Sequence, residues 1–163
     1  MHRSCLCEKA GGDLVLRPAV LEDASLLLAW RNDPETRAAS RNTAPVEAGE
    51  HAAWLAGLLE DPARRLYIVV AHGQPCGQVR LDPTGDGLQL SWTIAPQRRK
   101  KGYARRAVSL VARAFSERTL TAWIRPENHA SIRVAEAAGF RLAGTRDGLL
   151  KFVALGVADV QGR

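Results

Sequence analysis

The chain has 163 residues, 46% hydrophobic and 25% charged, a composition that suits one domain with its own core and excludes a disordered segment or a spanning helix. Its net charge of +6 raises nucleic acid as a partner, but between Gly87 and Ser116 stand seven bases and no acid, while the rest balances 16 bases against 17 acids. The charge is therefore one local anion-attracting segment, lacking the broad stripe and groove-reading element of a duplex binder, so no nucleic acid and no membrane is expected as partner.

Residues 1–12 read as a flexible leader. Met1 to Lys9 carries cysteines and charges where a secretory signal has an apolar run, so a cytoplasmic protein is expected. Cys5, Cys7 and Cys76 are odd in number and read as free thiols; Cys5 and Cys7 with His2 form one Cys-x-Cys lacking a second pair, so no metal is expected. The domain proper spans 13–156, with a tail at 157–163.

Leu14 to Arg17 predicts a strand stopped at Pro18. Ala24 to Arg31 predicts a helix, with Leu26, Leu27 and Trp30 on one face, ended by Asp33-Pro34. A second helix is expected from near Pro45 through His51, Trp54, Leu55, Leu58 and Leu59 to Asp61-Pro62. Leu66 to Ala71 and Cys76 to Leu81 are β-rich runs joined at His72-Gly73-Gln74-Pro75. Asp82 to Gly87 reads as a further turn, and Leu88 to Ile94 completes the meander. Ala104, Ala107, Val108, Val111, Ala114 and Phe115 recur at helical spacing. Thr119 to Ile124 predicts a strand and Asn128 to Ala138 a helix closed by Gly139. Phe140 to Leu142 and Leu149 to Leu155 predict two strands around an Asp147-Gly148 turn. The order β-α-α-β-β-β-α-β-α-β-β is a single α/β domain with a mixed sheet.

The chemistry concentrates between strand and helix, in Ile94-Ala95-Pro96-Gln97-Arg98-Arg99-Lys100-Lys101-Gly102-Tyr103-Ala104. Gly102 permits a backbone conformation or close approach that a Cβ obstructs, and the free N–H groups of the next helix's first turn point at the loop. With the helix dipole and the flanking bases they make a phosphate site. It is neither a nucleotide-triphosphate P-loop nor a Gly-x-Gly-x-x-Gly turn. The bland alternative is a basic turn before a surface helix.

Arg99, Gly102 and Ala104 fill the Gln/Arg-x-x-Gly-x-Gly/Ala pyrophosphate loop of the GNAT superfamily of N-acetyltransferases, which the chain resembles from Leu14 to Leu155. Asn128, Ser131, Gly139 and Phe140 fill a second motif in the right order. The resemblance implies a GNAT fold and acetyl-CoA as cosubstrate, lying in a splay between the strand ending at Ile94 and the Thr119 to Ile124 strand. It implies cofactor contacts at Trp92, Thr93, Ile94, Arg98, Arg99, Lys100, Lys101, Gly102, Tyr103, Ala104, Asn128 and Ser131, with backbone N–H of Trp92 to Ile94 meeting the acetyl carbonyl. A homodimer is an open possibility.

Two slots depart from the superfamily pattern. Where many relatives have a Glu base this chain has Gln89, which takes no proton, and where many have a Tyr acid it has Ala135. His51 and Glu50 are the remaining base candidates, with Gln89 kept beside them. A lysine amine near 10.4 is about one part in 2,500 free base at pH 7 and an amine near 7.8 about one in seven, a difference of about 3.5 kcal/mol that favours a weakly basic acceptor.

Trp30-Arg31-Asn32 with Glu50-His51-Ala52-Ala53-Trp54-Leu55 resembles the branch that acetylates a nucleotide-linked amino sugar in pseudaminic acid biosynthesis. That resemblance implies Trp30, Arg31, Asn32 and His51 as substrate-binding residues. Acetyltransferases of ribosomal-protein N-termini share part of the pattern and stay open as an alternative, as does a non-catalytic module that binds CoA or nucleic acid. Core packing is the other account of Trp30 and His51 and the favoured one for Trp54, and helix capping is the other account of Arg31 and Asn32.

Overall fold

A computed structural model describes residues 4–8 and 12–157. Eight strands form one mixed sheet, β1 (Leu6–Cys7), β2 (Leu14–Pro18), β3 (Arg65–Ala71), β4 (Gln74–Thr84), β5 (Gly87–Ile94), β6 (Leu120–Ile124), β7 (Arg141–Arg146) and β8 (Leu149–Ala154), in the order β1-β2-β3-β4-β5-β6-β8-β7. Five helices are present among the described residues: α1 (Ala24–Asn32), α2 (Pro34–Ala39), α3 (Ala48–Glu60), α4 (Tyr103–Ala114) and α5 (His129–Ala137). The expected single-domain α/β architecture with a mixed sheet is thus the one observed.

Alternation along each strand sends side chains to two separate cores. In β3, Tyr67, Val69 and Ala71 join Val79, Leu81, Leu90 and the α4 residues Ala107, Val108 and Val111. Leu66 and Ile68 of the same strand face Leu27 and Trp30 of α1 and Leu55 and Leu58 of α3. A strand covered on both faces needs a continuous apolar run, which β3 supplies from Leu66 to Ala71.

The hairpins are fixed by turn chemistry. His72 and Gly73 have φ of 51° and 72°, and Asp147 and Gly148 have 51° and 75°, as a two-residue turn matched to strand twist requires. The expected long turn over Asp82 to Gly87 contracts to Gly85-Asp86, because β4 pairs through Pro83↔Leu88 and Thr84↔Gly87.

Three expectations are corrected. The leader contains a strand: Leu6 pairs with Leu16 and Cys7 with Val15, and Glu8 accepts two hydrogen bonds from Arg106 at 2.8 and 2.6 Å. Its Cys5 and Cys7 are exposed free thiols, and no metal-binding cluster exists among the described residues; His2 lies outside them, as does the tail beyond Val157. Asp33-Pro34 ends one helix and starts another, since the Asp33 carboxylate caps α2 by accepting from the Thr36 amide at 2.9 Å. Finally, α3 begins at Ala48 rather than near Pro45, because the Asn32 side chain holds Val46 by both backbone groups.

Candidate functional site

β5 and β6 run parallel but pair only at Leu88↔Leu120 and Gln89↔Thr121, so the strands part beyond Gln89. The N–H of Leu88 donates to Thr119 on the β6 side and that of Ala95 to Cys76 on the β4 side. Backbone polar groups alternate between edges along a strand, so those of Leu90, Trp92 and Ile94 face the gap and those of Thr93 face β4. Of the three N–H groups expected at an acetyl carbonyl, Thr93 is therefore corrected to a partner of Gln78 in the β4–β5 ladder. Gly77 makes this pairing possible where the gap opens, since a Cβ there would run into the Thr93 carbonyl. β4 thereby keeps β5 in place after β6 has left it.

The loop after β5 enters α4 through Lys100, φ 61°, and Gly102, φ 77°, both left-handed. Gly102 is the α4 N-cap and offers no side-chain cap, and the first helical return to it comes from the Arg106 amide at 3.1 Å. The amides of Tyr103, Ala104 and Arg105 thus lack an intrahelical acceptor and converge beside a basic loop, which is the geometry of a phosphate cradle. Arg98, Lys100, Lys101 and Arg105 make no ion pair among the described residues. A pyrophosphate-bearing coenzyme fits this cradle.

Other members of the expected cofactor set are placed differently. Tyr103 has its side chain in the core, only 7% exposed, and Ala104 packs against the same core, leaving backbone as their contribution. Asn128 caps α5, its Oδ1 accepting from the Ser131 amide at 3.1 Å. Arg99 is engaged elsewhere as well. Its Nη2 donates to Asp33 at 2.7 Å and to Thr36 Oγ1 at 3.0 Å, its Nη1 to Glu35 at 2.6 Å, and its Nε to the Ile94 carbonyl at 3.2 Å. These bonds tie α2 to the end of β5 and leave the guanidinium a single Nη1 N–H. Burial pushes the Asp33 carboxyl upward, but the hydrogen bonds from Arg99 and Thr36 hold it below its ordinary value. Arg106, another of the seven bases, is likewise taken, by Glu8 and Asp13.

On the face covered by α1 and α3 a cleft of about 340 Å³ opens between those helices and β4–β5. Trp30, Arg31, Glu50 and His51 line it, as the sequence suggested, together with Trp54. Burial and the nearby Arg31 charge both hold the His51 imidazole below its usual pKa, so it stays neutral at pH 7. Its ring lies 5.1 Å from that of Trp54, and Trp54 in turn stacks with Arg80 at 5.6 Å. Arg31 donates through Nη2 to the Asn42 carbonyl at 2.9 Å, while its Nη1 is buried without a partner.

Asn32 does not join Arg31 in the cleft lining. Its amide bonds Val46 on both sides, at 2.8 Å each way, and pins the 42–46 loop over the cleft. Gln89 lies outside the cleft lining, opposite Asp82 where β5 and β6 are still paired. Ala135 is fully buried, and the two tyrosines of the chain, Tyr67 and Tyr103, are both in the core, so none of the three meets the gap with an acidic hydroxyl.

Sequence reasoning missed Gln78 and Arg80, which line the same cleft. The signal was present: Gln78, Arg80 and Asp82 alternate with Val79 and Leu81 on a strand covered on both faces. Polar residues on a covered face mark either a buried network or a site.

The acetyltransferase (GNAT) domain family model matches residues 13–141. No curated protein matches in sequence. Among solved structures, a ribosomal L7/L12 alpha-N-protein acetyltransferase in complex with coenzyme A superposes with a TM-score of 0.79 at 13% identity, covering 96% of this chain and 100% of that one. The Vibrio cholerae spermidine N-acetyltransferase in complex with CoA and spermine gives 0.78 at 17% identity, covering 91% and 98%. An aminoglycoside acetyltransferase, AAC(6')-Ib, in complex with coenzyme A gives 0.74 at 19%, also covering 91% and 98%. These three act on a protein, a polyamine and an aminoglycoside, and they share a fold with this chain.

Proposed function

The chain belongs to the acetyltransferase (GNAT) domain family and is an acetyl-CoA-dependent N-acetyltransferase, and on that premise we propose that its acceptor is the primary amine of a nucleotide-linked amino sugar. One observation carries the reading: Arg31 lines the cleft beside Thr93 of β5, and its Nη1 is buried without a partner. A desolvated guanidinium donor seeks a carboxylate or phosphate oxygen, which the diphosphate of a nucleotide sugar supplies. Arg80 adds a second positive charge to the same lining, an arrangement hostile to a polyamine.

Acetyl-CoA supplies an activated thioester. The α4 amides with Arg98, Lys100 and Lys101 hold its pyrophosphate, and the Trp92 amide, on the gap edge of β5, donates to the acetyl oxygen. His51, neutral, and Glu50 stand on the cleft wall as proton acceptors for the amine. The protein works in the cytoplasm, where acetyl-CoA and nucleotide sugars are both found.

Steady-state kinetics with each substrate varied in turn tests the reading, using a UDP-linked amino sugar, spermidine and a peptide α-amine as acceptors. Arg31→Ala is expected to leave acetyl-CoA affinity intact and to cost about 2–5 kcal/mol in kcat/KM for the sugar. Equal loss toward both substrates overturns it. Faster turnover of the peptide moves the acceptor to a protein N-terminus, the activity of the L7/L12 neighbour.

A further inference from the structure

Only three buried side-chain nitrogen or oxygen atoms lack a hydrogen-bond partner among the described residues: Arg31 Nη1, Gln78 Oε1 and Arg80 Nε. All three belong to residues that line the α1–α3 cleft. Arg80 Nε lies 2.7 Å from Asp82 Oδ2, an ion pair whose N–H is not aimed along the contact, so its charge is partly answered. The Gln78 carbonyl oxygen has no such relief. Native proteins keep few buried polar atoms unpaired, and an unpaired neutral acceptor on a residue that lines a cleft can be matched by a ligand that donates.

The position of Gln78 says which donor. It stands on β4 directly across from Thr93, and its Nε2 reaches over β5 to Thr93 Oγ1 at 3.4 Å. The residue next to Thr93 is Trp92, whose amide faces the gap. Gln78 therefore stands across β5 from the gap edge, and its side chain crosses the cleft-facing surface of β5 toward Thr93. We propose that Gln78 Oε1 binds the acceptor nitrogen itself, accepting one N–H of the free amine and leaving its lone pair directed at the acetyl carbon.

A neutral carbonyl suits this task better than a carboxylate. A carboxylate favours the ammonium form, which has no lone pair, whereas an amide oxygen adds no charge. The groups around the nitrogen push the same way: Arg31 from α1 and Arg80 from β4 are cations, His51 from α3 is neutral, and Glu50 is the one acid in the lining. Behind Arg80, Asp82 is shared with Arg64 at 2.7 Å and so does not cancel it. Two cations beside an amine lower its pKa, which offsets the absence of a strong base. In the reaction the nitrogen–carbon bond forms, the carbon–sulfur bond breaks with its electron pair on sulfur, and the surplus proton of the nitrogen passes to the thiolate, giving amide and free coenzyme.

This inference rests on the acceptor cleft of the preceding proposal, and its test separates the two. Gln78→Met, close in volume and lacking the oxygen, and Gln78→Glu are compared with wild type, with the UDP-linked amino sugar and the peptide α-amine as acceptors. Calorimetric CoA binding, expected unchanged, reports the fold. Gln78→Met is expected to lose about 10- to 100-fold in acceptor kcat/KM. Gln78→Glu is expected to move the acid limb of the kcat–pH profile upward by about one unit as the new carboxylate stabilises the ammonium, a shift that a structural role does not produce. Unchanged acceptor kinetics and an unchanged profile in both variants overturn the proposal even if the sugar is the substrate. The same Gln78 dependence with the peptide alone keeps the proposal and removes the nucleotide-sugar reading.

Discussion

The two sides of the proposed active site are built from different materials. On the coenzyme side the working groups are backbone amides at the start of α4 and along the open edge of β5. On the acceptor side they are side chains brought together from α1, α3, β4 and β5, from Leu27 to Thr93, 66 residues apart in sequence. A site made of backbone depends on where the chain bends, and bends leave glycine and helix-start patterns in the sequence. A site made of side chains depends on packing between distant elements and leaves no contiguous pattern.

That difference can be sharpened by substitutions on each side. The largest effect is expected from Gly102→Val. A Cβ at Gly102 meets no atom within 4 Å, but φ is +77° and a β-branched residue there is strained by about 1–3 kcal/mol. The loop relaxes away from the conformation that aims the α4 amides, and CoA affinity falls by about 100-fold in titration calorimetry while the rest of the fold persists. Retained affinity in a folded variant would show that backbone geometry is not what holds the coenzyme.

Asn32→Ala comes next and acts on the other side. It strands the Val46 amide and carbonyl, so chemical denaturation should register a loss of about 1–3 kcal/mol, and the acceptor KM should rise as the 42–46 loop loosens. CoA affinity should stay put. A fall in CoA affinity equal to the loss for the acceptor would mean the two sides are one unit and erase the contrast.

The smallest effect is expected from Lys101→Glu, an exposed charge on the coenzyme loop. Reversal should weaken CoA by about 1 kcal/mol in low salt, with the difference shrinking as ionic strength rises. A salt-independent change would point to a direct contact instead of a field.

Legibility followed the same division. The strand-turn-strand segments were readable because His72-Gly73 and Asp147-Gly148 are turn dipeptides and α4 has an unbroken apolar stripe. Gly102 was readable as a position that needs freedom. The second role of Arg99 was not readable: its place in the motif suggests phosphate, and only the fold reveals that Asp33 and Glu35 also arrive at it. Asn32 was misread for the same reason, since its partner Val46 lies across an irregular loop that no periodicity fixes. β1 was hidden by its brevity, two residues paired to an edge, where local propensity decides little.

The Arg99 clasp also constrains any attempt to graft one acetyltransferase's acceptor segment onto another. A cassette covering α1 and α2 carries Asp33 and Glu35 with it, and the shielded Asp33 needs a guanidinium from the recipient's own coenzyme loop, three residues before its glycine. A recipient with glutamine at that position would leave the Asp33 carboxylate, largely shielded by its neighbours at 15% side-chain exposure, with only the Thr36 amide and hydroxyl to answer it. Swapped segments will therefore settle in their new host only when the loop arginine travels with them.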